Sequence, residues 1–320
     1  MKLAILGAGA IGGFLGARLA RAGVDVVLIA RGAHLEAMKR GPLKVIEPGG
    51  EWSVQVEATD DFGVMRDAGA VFVTLKGHGL PPVAERLAAS LGAETAVVSA
   101  QNGIPWWYFQ RHGGELEGLH LETVDPGGTV ARAIDPRRVI GCVVYPATSL
   151  VGPGMVSHVE GERFSLGELD GSQSPRCTEL SEMLAAAGLK APVRTRIRPE
   201  LWLKLLGNAV FNPLSVLTRA TLRDMATSPL VAGVLRASME EVDAVARGVG
   251  VEVQVSIDQR IKGAARVGTH KTSMLQDLEG GRPMEIDAIT GSVVELGDRL
   301  GIPVPHLRTL YSSVKLLQAV

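Results

Sequence analysis

The chain has 320 residues, 46% of them hydrophobic and 21% charged, with a formal net charge of −1. That length suits two domains with real apolar cores. A near-neutral charge with no basic stripe argues against nucleic acid or an anionic membrane as a partner. Two cysteines, Cys142 and Cys177, make no disulfide framework, so a reducing, cytoplasmic setting is expected. The histidines form no HExxH and no CxxC partner set, so no metal site is expected. Apolar runs are broken short of a membrane span, and with a strand starting at residue 2 no leader is expected.

Taken in chain order, Lys2 to Leu6 reads as a buried strand, followed by a glycine-rich turn and a helix over Ile11 to Ala22. Asp25 to Ala30 is the next strand, which completes a βαβ unit. Further strands are expected at Ala70 to Leu75, Thr95 to Ala100 and Arg138 to Tyr145, and their continuous apolar character suits a parallel sheet covered on both faces. From about Arg196 the pattern is helical throughout. One helix is expected to start with Ser228 as cap and Pro229 at its first position. It would present Leu230, Val231, Val234, Leu235, Val242 and Val245 on one face and end at glycines 248 and 250. The predicted fold is α/β: an N-terminal Rossmann-type doubly wound sheet over residues 1–195, then an all-helical domain over 196–320. The amphipathic helices of the second half would also suit a homodimer.

Gly7, Gly9 and Gly12 fit G-x-G-x-x-G between a strand and a helix. The first permits the tight turn, the second admits a pyrophosphate, and the third lets helix and strand pack closely. The dinucleotide would lie against Gly7, Ala8, Gly9, Ala10, Ile11 and Gly12. At the end of the second strand, where an NAD enzyme usually carries a carboxylate, the sequence reads Leu28-Ile29-Ala30-Arg31. Arg31 can form a forked pair with a 2′-phosphate, so NADP (NADPH) is the expected cofactor. Lys76 and Asn102 follow the third and fourth strands of the sheet, at the rim where ligands of open α/β sheets bind.

The helical half opens with a puzzle in "RPELWLKLLGNAVFNPL", Arg198 to Leu214. Lys204, Asn208 and Asn212 recur every fourth position in an otherwise apolar run, so all three share one helix face. A helix buried all round could hold the two amides as satisfied core groups, with the lysine reaching outward. Alternatively, the stripe lines a cleft.

Six motifs together resemble the ketopantoate reductase (2-dehydropantoate 2-reductase) family: "GAGAIGG", "TLKG", "QNG", the helix above, "TSMLQDLEGGRPMEID" and "GIPVPH". They span nearly the whole chain in family order. The resemblance implies NADPH-dependent reduction of a small 2-oxo acid. It makes Lys204 the catalytic acid, Glu285 its partner, and Asn208, Asn212 and Ser273 substrate contacts, with Lys76 and Asn102 at the cofactor and substrate rim. The chemistry agrees, because hydride arriving at a ketone carbon leaves charge on oxygen that a nearby cation and proton donor would stabilise. Burial would lower the lysine's pKa while a carboxylate at Glu285 would raise it, and sequence does not decide between them.

Two features depart from the family pattern. The segment Thr218 to Met225 lacks the amide that relatives often carry, with Arg219 or Thr221 as stand-ins. The stretch after Asn102-Gly103 is long and begins with Trp106, Trp107, Tyr108 and Phe109, either a wall near the nicotinamide or ordinary packing. The rival functions are a reductase for another 2-oxo acid, a 3-hydroxy acid dehydrogenase, and an NADPH sensor without catalysis.

Overall fold

A computed structural model describes residues 1–320. The chain forms two compact units. The first comprises residues 1–101, 109–118 and 128–197, and the second comprises 102–108, 119–127 and 198–320.

The first unit is built on a seven-stranded sheet. Its order is β11 (Phe164–Glu168), β8 (Val139–Val144), β7 (Ala96–Ser99), β6 (Ala70–Val73), β1 (Leu3–Leu6), β2 (Val26–Ile29) and β5 (Glu57–Thr59). Every neighbouring pair is parallel except β8 and β11. From the β5 edge, and counting only this sheet's strands in chain order, the arrangement is 3-2-1-4-5-6-7. That is the doubly wound dinucleotide-binding order, whose chain direction switches between β1 and β6. The four-residue strands β1, β2, β6 and β7 are buried at every position, as a parallel sheet covered on both faces requires. Helices α1 (Ala10–Arg21), α2 (Gly32–Arg40), α3 (Ala84–Ser90), α4 (Thr129–Ala133) and α5 (Pro175–Ala186) complete this unit.

A second sheet was not anticipated. It runs β4 (Gly50–Val54), β3 (Leu43–Glu47), β10 (Met155–Glu160) and β9 (Ala147–Gly152). These strands mix charged and apolar residues, and the central pairing of β3 with β10 joins segments far apart in the chain. Local periodicity therefore carries little of it. The available signals were two Gly/Pro turns, "EPGG" between β3 and β4 and "GPG" between β9 and β10. The sheet packs on α1, where a Cβ at Gly13 would lie 2.9 Å from Val156.

The second unit is helical: α6 (Ile197–Thr218), α7 (Leu222–Thr227), α8 (Ala232–Gly248), α9 (Ile257–Val267), α10 (Ser273–Glu279), α11 (Ser292–Leu300) and α12 (Pro305–Ala319). The Ser228 cap and Pro229 start are not observed. Helix α8 begins at Ala232, and Ser228 instead closes α7, with its hydroxyl accepting the Leu230 N–H at 3.3 Å. Leu230 is consequently 92% exposed. The buried face of α8 is Leu235, Met239, Val242, Val245 and Ala246, so the stripe starts a turn later than expected.

Helix α6 runs through Pro213. Proline has no N–H, so the carbonyl four residues earlier, Ala209, lacks its helical donor. Thr290 makes good the loss, its hydroxyl donating to that carbonyl at 3.0 Å in a fully buried contact. Thr290 belongs to a π-turn, Asp287–Gly291, that leads into α11. Such widened turns often accompany functional sites.

Candidate active site

In the first unit the glycine turn bridges β1 and α1 at the switch point. Gly7 has φ +100°, and a Cβ there would fall 2.9 Å from the Leu75 backbone nitrogen. A Cβ at Gly12 would meet the Gly7 carbonyl at 2.4 Å and the Thr74 hydroxyl at 2.5 Å, so only glycine lets α1 approach this closely. Thr74 fastens the turn by donating to the Gly7 carbonyl at 2.8 Å. At Gly9, by contrast, a Cβ would have nothing nearer than 4.0 Å. The crowding at two glycines and the open space at the middle one fit a pyrophosphate lying against Gly9. The first-turn N–H groups of Ala10, Ile11 and Gly12 are oriented as helix N-termini are for phosphate. Arg31 is exposed at the start of α2, two residues beyond β2, and Lys76 is half-buried three residues beyond β6.

His34, absent from the expectations, stands beside this turn on α2. Its Nδ1 accepts the Gly154 N–H at 2.9 Å, which ties α2 to the β9–β10 turn. Burial pushes its pKa below the ordinary value, while a hydrogen bond with the Ala8 backbone opposes that shift.

In the second unit α6 brings Lys204 of the stripe together with two distant residues. The Lys204 Nζ donates to the Asn102 Oδ1 at 2.5 Å, and the Asn102 Nδ2 donates to the Glu285 Oε2 at 3.4 Å. The amide thus offers its oxygen to the cation and its nitrogen to the carboxylate, which fixes its orientation. Asn102 is itself held by the next two residues. Gly103 has φ +83° and lies so near the π-turn that a Cβ would be 2.1 Å from the Ala288 carbonyl oxygen. The Ile104 N–H donates to that same carbonyl at 2.9 Å.

Asn208 is half-buried and Asn212 is buried. The Asn212 Nδ2 has no hydrogen-bond partner, an unusual state for a buried amide. An acceptor oxygen on a bound ligand would satisfy it. Ser273 is exposed at the first position of α10, and no bond joins it to the lysine, amide and carboxylate set. Its neighbour Thr272 pairs hydroxyl to hydroxyl with Ser215 at 2.6 Å, which pins the start of α10 beside the lower end of α6.

The aromatic run is core. Trp106, Trp107, Tyr108 and Phe109 are all buried. The Trp202 indole donates to the Tyr108 hydroxyl at 2.6 Å, and the Arg198 Nε donates to the Tyr108 carbonyl at 2.7 Å. The residues 119–127 are fastened separately: Glu295 of α11 accepts from the N–H groups of Glu122 and Thr123 at 3.0 and 2.9 Å. In the 218–225 segment, Thr221 is committed to capping α7, its hydroxyl donating to Asp224 at 2.6 Å. No group of His, Cys, Asp and Glu side chains is arranged to hold a metal ion.

Residues 3–171 match the family described as ketopantoate reductase PanE/ApbA, and residues 196–318 match its C-terminal counterpart. A 2-dehydropantoate 2-reductase of Mesorhizobium japonicum is 49% identical over 318 residues, 99% of this chain and 98% of the relative. The PanE/ApbA family ketopantoate reductase of Ralstonia eutropha JMP134 superposes with TM-score 0.86 at 32% identity, over 100% of this chain and 99% of that one. D-mandelate dehydrogenase, solved with NADH and anilino(oxo)acetate, shares the fold at TM-score 0.85 and 21% identity, over 100% and 99% of the two chains. Fold and relatives together define an oxidoreductase acting on a CH–OH/ketone pair. The chain belongs to the ketopantoate reductase family.

Proposed function

We propose that this protein reduces 2-dehydropantoate (ketopantoate) to pantoate with NADPH, and that Lys204 supplies the proton. The observation that carries the reading is the hydrogen-bonded series Lys204, Asn102, Glu285 on α6, the QNG segment and the π-turn's leading edge. Residues 1–195 act as the NADP-binding domain and 196–320 as the substrate-binding and catalytic domain. Residues 7–12 would hold the cofactor's pyrophosphate and Arg31 its 2′-phosphate, with Lys76 and Asn102 as further cofactor contacts. Bound there, the cofactor would supply the hydride that reduces the 2-oxo carbon. As charge develops on the carbonyl oxygen, the Lys204 ammonium stabilises it and passes a proton to it, giving the 2-hydroxy acid. Asn102 keeps the ammonium aimed, and Glu285 steadies Asn102 from its other end. Asn208, Asn212 and Ser273 hold the substrate through neutral donors.

A second reading, a reductase for a different 2-oxo acid, is favoured by one observation: Thr221 caps α7 and no amide replaces it in the 218–225 segment. The deciding experiment is NADPH oxidation with ketopantoate beside a panel of other 2-oxo acids, repeated with NADH. Efficient ketopantoate turnover supports the first reading, and preference for another acid supports the second. For the cofactor, Arg31→Ala is expected to weaken NADPH about 10- to 100-fold, the worth of charge-assisted hydrogen bonds, and to leave NADH untouched. An unchanged NADPH/NADH ratio rejects the role of Arg31.

A further inference from the structure

We infer that Arg260 is the carboxylate anchor of the substrate site, an inference that rests on the reading of this protein as a 2-oxo acid reductase. The geometry starts from α6. Between Leu201 and Val216 only Leu203, Lys204 and Asn208 keep partial exposure, so the helix opens on one narrow window. Gly207 faces into that window, about 60° around the axis from Lys204 and about 4.5 Å along it. Its position is nonetheless buried, and what covers it is the guanidinium of Arg260. A Cβ at Gly207 would fall 2.1 Å from the Arg260 Nη2 and 2.5 Å from both Cζ and Nε. The glycine in "KLLGN" is therefore the gap through which an arginine from α9 lies flat on the α6 backbone.

Cβ positions three apart on a helix are about 5–6 Å from each other. The guanidinium, lying over Gly207, thus stands roughly one small-molecule carboxyl group away from the side-chain root of Lys204 and over the residue that precedes Asn208. A 2-oxo acid presents two oxygen functions on adjacent carbons, a ketone that must meet the proton donor and a carboxylate that must be held beside it. Lys204 is a point charge suited to the oxygen on which charge develops. Arg260 is a planar fork matched to a carboxylate in bidentate fashion. Two cations of different shape, one rooted at Lys204 and one laid over Gly207, would sort the two functions. In addition, α9 begins with a capping box in which Ser256 accepts the Gln259 N–H at 3.2 Å, so Arg260 sits in the ordered first turn of its helix.

The test uses the full-length protein and compares ketopantoate with the same 2-oxo compound carrying an amide in place of the carboxylate. Arg260→Gln is expected to raise KM for the acid about 10- to 100-fold, with the loss falling on KM rather than kcat. It should abolish the preference for acid over amide and leave the Kd for NADPH unchanged. Arg260→Lys, which keeps the charge without the fork, should fall between. Gly207→Ala, which pushes the guanidinium away without altering it, should move KM in the same direction. An unmoved KM, or an equal loss on acid and amide, overturns the inference while the reductase reading stands. A wild-type protein inactive on every 2-oxo acid overturns both.

Discussion

The Lys204 ammonium donates to the Asn102 amide oxygen at 2.5 Å, and the same amide donates to Glu285 at 3.4 Å. That contact aims the ammonium, which in the proposed reaction meets the charge developing on the substrate oxygen. Lys204→Ala is expected to lower kcat by about 10²- to 10⁴-fold, the usual worth of a positioned acid, while NADPH binding survives. Stopped-flow turnover alongside nicotinamide fluorescence checks both halves, and near-normal turnover removes the lysine from the mechanism. The unpartnered amide nitrogen of Asn212 belongs to the same scale. A buried donor without an acceptor is costly in the free protein, and that cost is relieved when a ligand brings an oxygen.

Among the elements, the π-turn does the most positioning. Its Ala288 carbonyl takes the Ile104 N–H, its Thr290 hydroxyl donates to the Ala209 carbonyl that Pro213 leaves without a donor, and Glu285 lies two residues ahead of it. Gly103→Ala should therefore harm the site through backbone alone. A methyl would be driven to 2.1 Å from the Ala288 oxygen at a φ of +83°. Such strain costs about 1–3 kcal/mol before any clash is counted. The expected result is a lower melting temperature with kcat reduced more than NADPH affinity; wild-type values of both would show that Asn102 needs no such anchorage.

This scale also marks what the sequence could convey. The glycine turn was legible because all its partners lie within a few residues or on the adjacent strand. The α6 stripe was legible because four-residue spacing is a property of one helix. The meeting of residues 102, 204 and 285 depends on contacts between remote segments, which no local period encodes. The small sheet stayed hidden for the same reason, since β3 finds β10 more than a hundred residues away. Thr290 could be recognised only after Pro213 was seen to leave a carbonyl without its donor. Gly207 lies within the helix motif, yet its meaning depends on the arginine that α9 supplies to fill the gap.

At the scale of the whole molecule, the second unit is not a contiguous piece of chain. It incorporates Asn102–Tyr108 and Leu119–Gly127 along with everything from Arg198 onward. Tyr108 is fully buried and bonded to Trp202, and Ile104 is fully buried and bonded to Ala288. Removing a buried large aromatic costs about 3–5 kcal/mol and a buried aliphatic about 2–5. A domain's entire margin is about 5–15 kcal/mol. The helical unit of this enzyme is therefore not expected to fold as a cassette beginning near residue 196. Made alone, such a fragment should give a broad, uncooperative melt, and adding a peptide of residues 102–127 in trans should sharpen it. A sharp melt from the bare fragment would mean that the inserted segments are passengers. Otherwise recombination between relatives must keep the middle of the gene with its end, so the reading frame holds together a unit that its two sequence motifs make look separable.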